Sequence, residues 1–356
     1  MTKVMIGNKV IGEREKPFII AEAGVNHDND FEKAKNLIKM AAEAGADAIK
    51  FQNFTADTLT TRNAKRYWSK ELDTDKGKTQ HDYFQNMKEL TKENYLNLKK
   101  YADELGIIFF STPFYLEAVD LLEELDVQAY KIASADLPYH QLLKKVAKTG
   151  KPIIMSVGAS SFSEIQESVN VIRKEGNDKI ILLHCILSYP CDDKDANLLR
   201  IKALKEKFPD CVIGYSDHTR GLIPPIVAMA LGASVIEKHY TGEKNSNAVS
   251  ADHRFAVDPK ELRELVNAAK IVHESLGESS DKYYATEEKA HELARRAVVA
   301  EKNIKQGEII SADMLACKRA GKGLDPKHLE SFVGKKAKQY IERDTIMSFD
   351  FVENGK

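Results

Sequence analysis

The stretch Cys211–Thr241, CVIGYSDHTRGLIPPIVAMALGASVIEKHYT, says the same thing twice. The apolar run Val212-Ile213-Gly214-Tyr215 ends in Ser216-Asp217-His218-Thr219. A second run, Ser234-Val235-Ile236, ends in Glu237-Lys238-His239-Tyr240-Thr241. Between them Gly221 to Leu231 reads as a short amphipathic helix, so the unit is strand, helix, strand. Such a crossover makes parallel neighbours and brings both histidines to the carboxyl ends of their strands. Two imidazoles on adjacent strand tops are a partial ligand set for a divalent metal with open positions. The plainer alternative is that each histidine caps its strand and bonds to backbone. Either alone fits that use; the matched pair points to the metal.

Outward from this unit the same alternation continues. Pro17–Ala21 is an apolar strand stopping at Glu22-Ala23-Gly24, followed by a helix with Leu37, Met40, Ala41 and Ala44 at helical spacing and Gly45 as its stop. Further short apolar strands fall at Ala46–Gln52, Ile107–Ser111, Gln128–Ile132, Pro152–Ser156 and Lys179–His184, as buried parallel strands should read. The helix after the fifth strand opens with Ser161 and Glu164 in capping-box spacing and carries Ile165, Val169 and Ile172 on one face. Eight such units over about 275 residues match a (β/α)8 TIM barrel in count and length. An open doubly wound sheet is the competitor.

The barrel is expected over residues 1–280, with a linker at 281–294 entered through the polar Gly277–Asp281. Residues 295–356 then read as a small β-rich domain. There Ile304, Gly307, Ile309, Ser311 and Asp313 recur as Ile341, Asp344, Ile346, Ser348 and Asp350 at a constant offset, a weak repeat of a strand-turn-strand element. Within the barrel a long polar insertion, Thr55 to Lys88, holds the sole tryptophan, Trp68. Insertions of this length usually form lids or interfaces.

A net charge of −1 from 53 basic and 54 acidic residues offers no field for nucleic acid or an anionic membrane. Cys185, Cys191, Cys211 and Cys317 have no paired spacing, and there is no apolar leader, so a reduced, cytoplasmic protein is expected.

A barrel of this class carries its chemistry on the carboxyl rim. The rim residues are polar: Glu22, Lys50, Gln52, Ser111, Thr112, Lys131, Ser134, Asp136, Ser156, His184, Ser216, His218, Glu237 and His239. Lys50 and Lys131 follow apolar strands, where an inward ammonium is half-desolvated and calls for an anion. With Ser134, Ser156, Ser216 and Thr112 they would cradle a phosphate or carboxylate; the alternative for each lysine is to snorkel to solvent. Glu22 and Asp136 are carboxylates for proton transfer, or partners of those lysines. The residues alone lead to a metal-polarised oxygen and an anionic substrate, hence carbon-carbon bond chemistry or hydrolysis.

The ordered motifs IIAEAGVNHD, GADAIKFQ, FFSTPF, AYKIAS, ILLHC, VIGYSDHT, VIEKHYT and ADHRFAVDP resemble the bacterial sialic acid synthase family, the phosphoenolpyruvate-dependent nonulosonic acid synthases. The resemblance spans the whole chain. It implies a (β/α)8 barrel followed by an antifreeze-like SAF domain, of which the repeat looks like the two halves. It also implies His218 and His239 as ligands of Mn or Mg, and Lys50, Thr112, Lys131, Ser134, Ser156 and Ser216 around phosphoenolpyruvate. Gln52, Tyr189, Asp252 and Arg319 would then contact the acceptor sugar, and Glu22 and Asp136 would be the acid-base carboxylates. Arg319 would reach a partner's barrel, hence a domain-swapped homodimer. The activity implied is condensation of phosphoenolpyruvate with an open-chain N-acylated amino sugar. The simplest case is N-acetylmannosamine giving N-acetylneuraminate; a 2,4-diacetamido hexose giving legionaminate or pseudaminate is the other. Four features depart from the pattern: Asp136 replaces glutamate, Leu187 an asparagine, Val157 a small polar residue, and Gly242–Ala251 lacks a glycine-proline.

Two other classes are weighed. A barrel metal hydrolase typically needs His-x-His ending strand one, where this chain has Glu22-Ala23-Gly24. A non-enzymatic ice- or carbohydrate-binding role predicts an inert rim and a flat, uncharged face, against Lys302, Lys305, Lys318, Arg319 and Lys322.

Overall fold

Eight apolar segments pair as parallel strands because helices cover their outer face and close-packed side chains fill their inner one. In the computed structural model, which describes residues 2–68, 77–87, 90–244 and 250–353, these strands are β3 (Phe18–Gly24), β4 (Ala48–Asn53), β5 (Ile108–Pro113), β6 (Tyr130–Ile132), β7 (Ile153–Ser156), β8 (Ile180–Cys185), β9 (Val212–Asp217) and β10 (Val235–His239). Their order, β5-β4-β3-β10-β9-β8-β7-β6, is the cyclic order of a (β/α)8 barrel, with the ladder open between the neighbours β5 and β6. β10 lies between β3 and β9, setting His239 opposite Glu22, and Glu237 opposite Ser216.

The intervening helices form where the sequence supplies caps and a single apolar stripe. Phe31–Ala44 starts on the Asp30 side chain, which accepts from the Glu32 and Lys33 amides, and buries Leu37, Ile38 and Ala41. It stops at Gly45, whose φ of 86° is a left-handed conformation that a Cβ would strain. Phe162–Lys174 carries the Ser161/Glu164 capping box and buries Ile165, Val169 and Ile172. Pro259–Leu276 opens on an Asp258/Glu261 box and buries Leu262 and Leu265, each leucine contributing about 1.5–3 kcal/mol of transfer free energy.

Two local features lie outside the eight strand-helix units. The N-terminal arm folds as an antiparallel hairpin, β1 (Lys3–Ile6) with β2 (Lys9–Gly12), turning at Gly7 with φ of 56°. Its signal, alternation over only four residues per strand, is too short to separate from a loop. The described parts of the insertion contain two short helices, Ala56–Leu59 and Gln80–Gln85; its residues 69–76 and 88 lie outside the described set.

The chain divides into two compact units, Met1–Gly277 and Glu278–Lys356. The second is built on β11 (Arg296–Ala300) and β12 (Leu315–Arg319), antiparallel, over a core including Val298, Ile304, Phe332, Ile341 and Met347. The sequence repeat is visible here: Ile304 and Ile341 bridge each other, and the repeat positions Gly307 and Asp344 both take positive φ, 83° and 65°. Ser311 and Ser348 each bond the aspartate two residues on. Among the described residues no helix is long and apolar enough to cross a membrane.

Candidate active site

Strand alternation decides which rim side chains enter the barrel mouth. A cavity of about 390 Å³ opens there, lined among others by Glu22, Lys50, Gln52, Thr112, Lys131, Ser134, Asp136, Ser156, Tyr189, Ser216, His218, His239 and Asp252. Apart from Ser111 and His184, which do not line it, the barrel residues singled out in the sequence therefore converge on one space. Arg319 lies on the second unit, exposed at the end of β12. His184 is elsewhere: it points outward, stacks on Tyr215 and bonds the Ala196 carbonyl at 2.7 Å. The period of two that turns it away puts its neighbour Cys185 in the cavity wall instead.

At the floor two cations and two carboxylates interlock. Lys50 Nζ lies 2.5 Å from Glu22 and 4.0 Å from Glu237, and donates to Thr112 Oγ1 at 3.0 Å. Lys131 Nζ lies 3.7 Å from Glu237 and donates to the Ile132 carbonyl at 3.1 Å. Both lysines are buried. Glu22 also accepts from Gln52 Nε2 at 2.6 Å, and Glu237 from Ser216 at 3.0 Å. The anion cradle and the carboxylate-pairing readings of these residues thus describe one cluster.

Burial raises the Glu22 carboxyl above the ordinary range, against the pull of Lys50. Burial pushes Glu237 the same way, but Lys131 and Lys50 more than reverse it, so it titrates low. Burial lowers the Lys131 ammonium, with Glu237 opposing. Glu237 is the ionisable residue that the sequence reading left without a role; its signal was its place two residues before His239 on one strand.

Asp136 stands apart from this cluster. Burial raises its carboxyl to about 7, with Lys131 opposing, and its Oδ2 has no hydrogen-bond partner. Ser156 Oγ is likewise without one. Unsatisfied buried polar atoms facing a cavity are what a ligand would complete. The raised pKa sets a sign for stability. As pH rises from about 4, the unfolded Asp136 ionises first and the folded one only near 7, so stability falls across that window and is flat above it. Asp136→Asn should be more stable than the native protein at pH 8 by on the order of 4 kcal/mol, the difference shrinking toward pH 4. Urea denaturation at pH 8, 6 and 4.5 checks this, and a difference independent of pH refutes it.

Above the floor, the His218 and His239 rings are 5.2 Å apart at 62°. His218 Nδ1 lies 2.7 Å from the Ile186 carbonyl, which only accepts, so Nδ1 carries the proton. His239 Nδ1 faces Asp252 Oδ2 at 3.1 Å. With each Nδ1 directed to an oxygen, each Nε2 is left to ligate, the arrangement of metal-binding histidines. No group of three or more His, Cys, Asp or Glu gathers as a metal centre among the described residues. The pair fits a divalent cation as two ligands, the others being water or substrate. Tyr189 packs on His218 at 4.1 Å between ring centres.

Of the departures, Leu187 lines the cavity and Val157 is fully buried. Residues 245–249 of the Gly242–Ala251 segment lie outside the described set.

A parallel eight-stranded barrel with its polar cavity at the carboxyl rim, joined to a small β unit, is the architecture of a barrel enzyme with an appended domain. Comparison with known proteins makes the class specific: the chain belongs to the NeuB family, whose model matches residues 37–281, and a SAF domain matches 295–353. An uncharacterized protein of Methanocaldococcus jannaschii is 43% identical over 98% of each chain. An N,N'-diacetyllegionaminic acid synthase of Campylobacter jejuni is 39% identical over 94% of this chain and 99% of that one. The crystal structure of an N-acetylneuraminic acid synthetase from Leptospira borgpetersenii, in complex with citrate, superposes with a TM-score of 0.73 at 36% identity, covering 81% of this chain and 95% of the other.

Proposed function

We propose that this chain joins phosphoenolpyruvate to the aldehyde carbon of an open-chain N-acylated amino sugar, releasing phosphate and a nonulosonic acid. The observation that carries the reading is the pair of buried lysines, Lys50 and Lys131, on the floor of the cavity that also holds the histidine pair. N-acetylmannosamine, giving N-acetylneuraminate, is the simplest acceptor, in line with the Leptospira enzyme. A 2,4-diacetamido hexose is the second, favoured by the Campylobacter relative.

Lys50, Thr112, Lys131, Ser134, Ser156 and Ser216 hold the carboxylate and phosphate of phosphoenolpyruvate. Ser134 Oγ is already oriented by the Gly158 amide at 2.9 Å. Gln52, Tyr189 and Asp252 orient the sugar above it, and Arg319 of a partner chain in a swapped homodimer holds the N-acyl group. A divalent cation, Mn or Mg, held by His218 and His239 would supply Lewis-acid polarisation of the aldehyde oxygen. C3 of the enol forms the new bond to the aldehyde carbon, and positive character develops at C2, which the Glu22 carboxylate offsets. Glu22 takes the proton of the water that adds there. Asp136, neutral below about pH 7, hands a proton to the departing phosphate as the C2–O bond breaks, and the two lysines offset the charge of that phosphate; the added C2 hydroxyl gives up its proton to become the keto group, and the sugar alkoxide takes one up from solvent. Holding both substrates in register supplies much of the acceleration.

Phosphate release is measured with phosphoenolpyruvate and a panel of acylamino sugars, with Mn and after chelation. Release should need all three components; chelation should slow it about 100-fold or more, and Mn restore it. No release with any sugar would remove the reading.

A further inference from the structure

The cavity has two unlike sides. Besides the charged floor, the cavity is lined by Phe54, Trp68, Tyr83, Phe84, Met87 and Phe114, which pack as one cluster of the insertion and its neighbours. These rings brace one another edge to face: Phe54 with Phe84 at 5.2 Å and with Phe114 at 5.7 Å, Tyr83 with Phe84 at 5.3 Å. Trp68 meets Tyr83 at 5.1 Å, and the Arg66 guanidinium lies 5.4 Å from the Tyr83 ring. The Tyr83 hydroxyl accepts from the Ala251 amide at 3.1 Å, tying the wall to the loop that carries Asp252. Beneath it, the helix Gln80–Gln85 is capped by a Thr79/Asp82 box. The wall is therefore preformed. Yet Trp68, Phe84 and Phe114 are only partly buried, and they line the cavity.

A wall that served only its own packing would bury those faces. Phosphoenolpyruvate, almost all charged oxygen, belongs with the lysines. What lies over it, toward the mouth, is the acceptor. Thr60, Tyr67 and Gln80 of the insertion also line the cavity, but the six braced side chains are themselves carbon apart from the Trp68 nitrogen, the Tyr83 hydroxyl, which the Ala251 amide already engages, and the Met87 sulfur. A bare polyol tail would lose water against them with few partners in return. A methyl-bearing substituent would gain.

We infer that this wall is a specificity-determining subsite for an apolar group on the far half of the acceptor, the methyl of a second acylamino group. The preferred acceptor is then a 2,4-diacetamido hexose over N-acetylmannosamine. The inference rests on the condensation proposed above and chooses between its two sugars.

The test compares kcat/KM for the two sugars, at saturating phosphoenolpyruvate, in the native protein, Trp68→Ala, Phe84→Gln and Trp68→Phe. The native ratio should favour the diacetamido sugar by about tenfold or more. It should collapse toward one in Trp68→Ala and Phe84→Gln, and survive in Trp68→Phe, which keeps apolar surface. KM for phosphoenolpyruvate should stay within about twofold throughout, since the floor is untouched. Circular dichroism identifies a variant that fails to fold, leaving the other to decide; should both fail, the native ratio and Trp68→Phe decide. Release with both sugars at a native ratio near one, or a ratio indifferent to Trp68 and Phe84, overturns the subsite and leaves the condensation standing. No release with either sugar overturns the condensation itself.

Discussion

Lys238→Met should destabilise the barrel by about 3–5 kcal/mol, the effect of stripping one partner from a buried ion pair. Lys238 and Asp217 are both fully buried, 2.6 Å apart, on the outward faces of β10 and β9 at matched register. Asp217 is held further by the Tyr215 hydroxyl at 3.0 Å and by the Thr219 amide and hydroxyl at 2.8 and 2.7 Å; Lys238 also donates to the Thr219 carbonyl. Each member is flanked by cavity residues, Lys238 by Glu237 and His239, Asp217 by Ser216 and His218. One ion pair behind the barrel wall thus holds the two histidine-bearing strand ends together. Against a typical total of about 5–15 kcal/mol the loss is large. Denaturant unfolding at pH 7.5 measures it. The double variant Lys238→Met with Asp217→Asn, which removes the stranded charge, should recover part of the loss. A single-variant loss under about 1 kcal/mol would show the pair to be dispensable.

That network marks where the sequence was readable and where it was not. The barrel was legible because eight apolar runs separated by capped helices leave few alternatives, and the histidines because strand, helix and strand fix their relative height. The helix Pro259–Leu276 has the ends its caps demand. Side-chain direction was harder. Three-to-seven-residue strands blur the alternation, so His184 was grouped with rim residues although it points away from the cavity. The roles of Glu237 and Lys238 depended on cross-strand partners some twenty residues away. The insertion carried only a single tryptophan as a sign. Its aromatic wall arises from Phe54 and Phe114 on two barrel loops meeting Trp68, Tyr83 and Phe84, a juxtaposition that no local pattern encodes.

The second large effect falls on a lysine that is equally hidden but differently placed. Lys131→Met should lower kcat/KM for phosphoenolpyruvate about 10²–10³-fold, the usual effect of removing one preorganised charge from a developing anion, with the folded state weakened less than in Lys238→Met. The contrast with Lys238 is one of partners. Lys238 has a carboxylate at 2.6 Å and does not line the barrel-mouth cavity. Lys131 has its nearest carboxylate at 3.7 Å, lines the cavity, and burial pulls its ammonium below the ordinary range. Burial already penalises this ammonium, so a methionine of similar shape relieves that penalty and partly offsets the loss of compensation at Glu237, which keeps its contacts with Ser216 and Lys50. A bound phosphate or carboxylate would compensate the buried ammonium, which places the stabilisation in the complex. Lys131→Met should therefore lower its urea midpoint less than Lys238→Met does, and lose phosphoenolpyruvate affinity in titrations made without sugar. Activity within about tenfold of the native protein, or a loss that tracks unfolding, would reduce Lys131 to a structural residue.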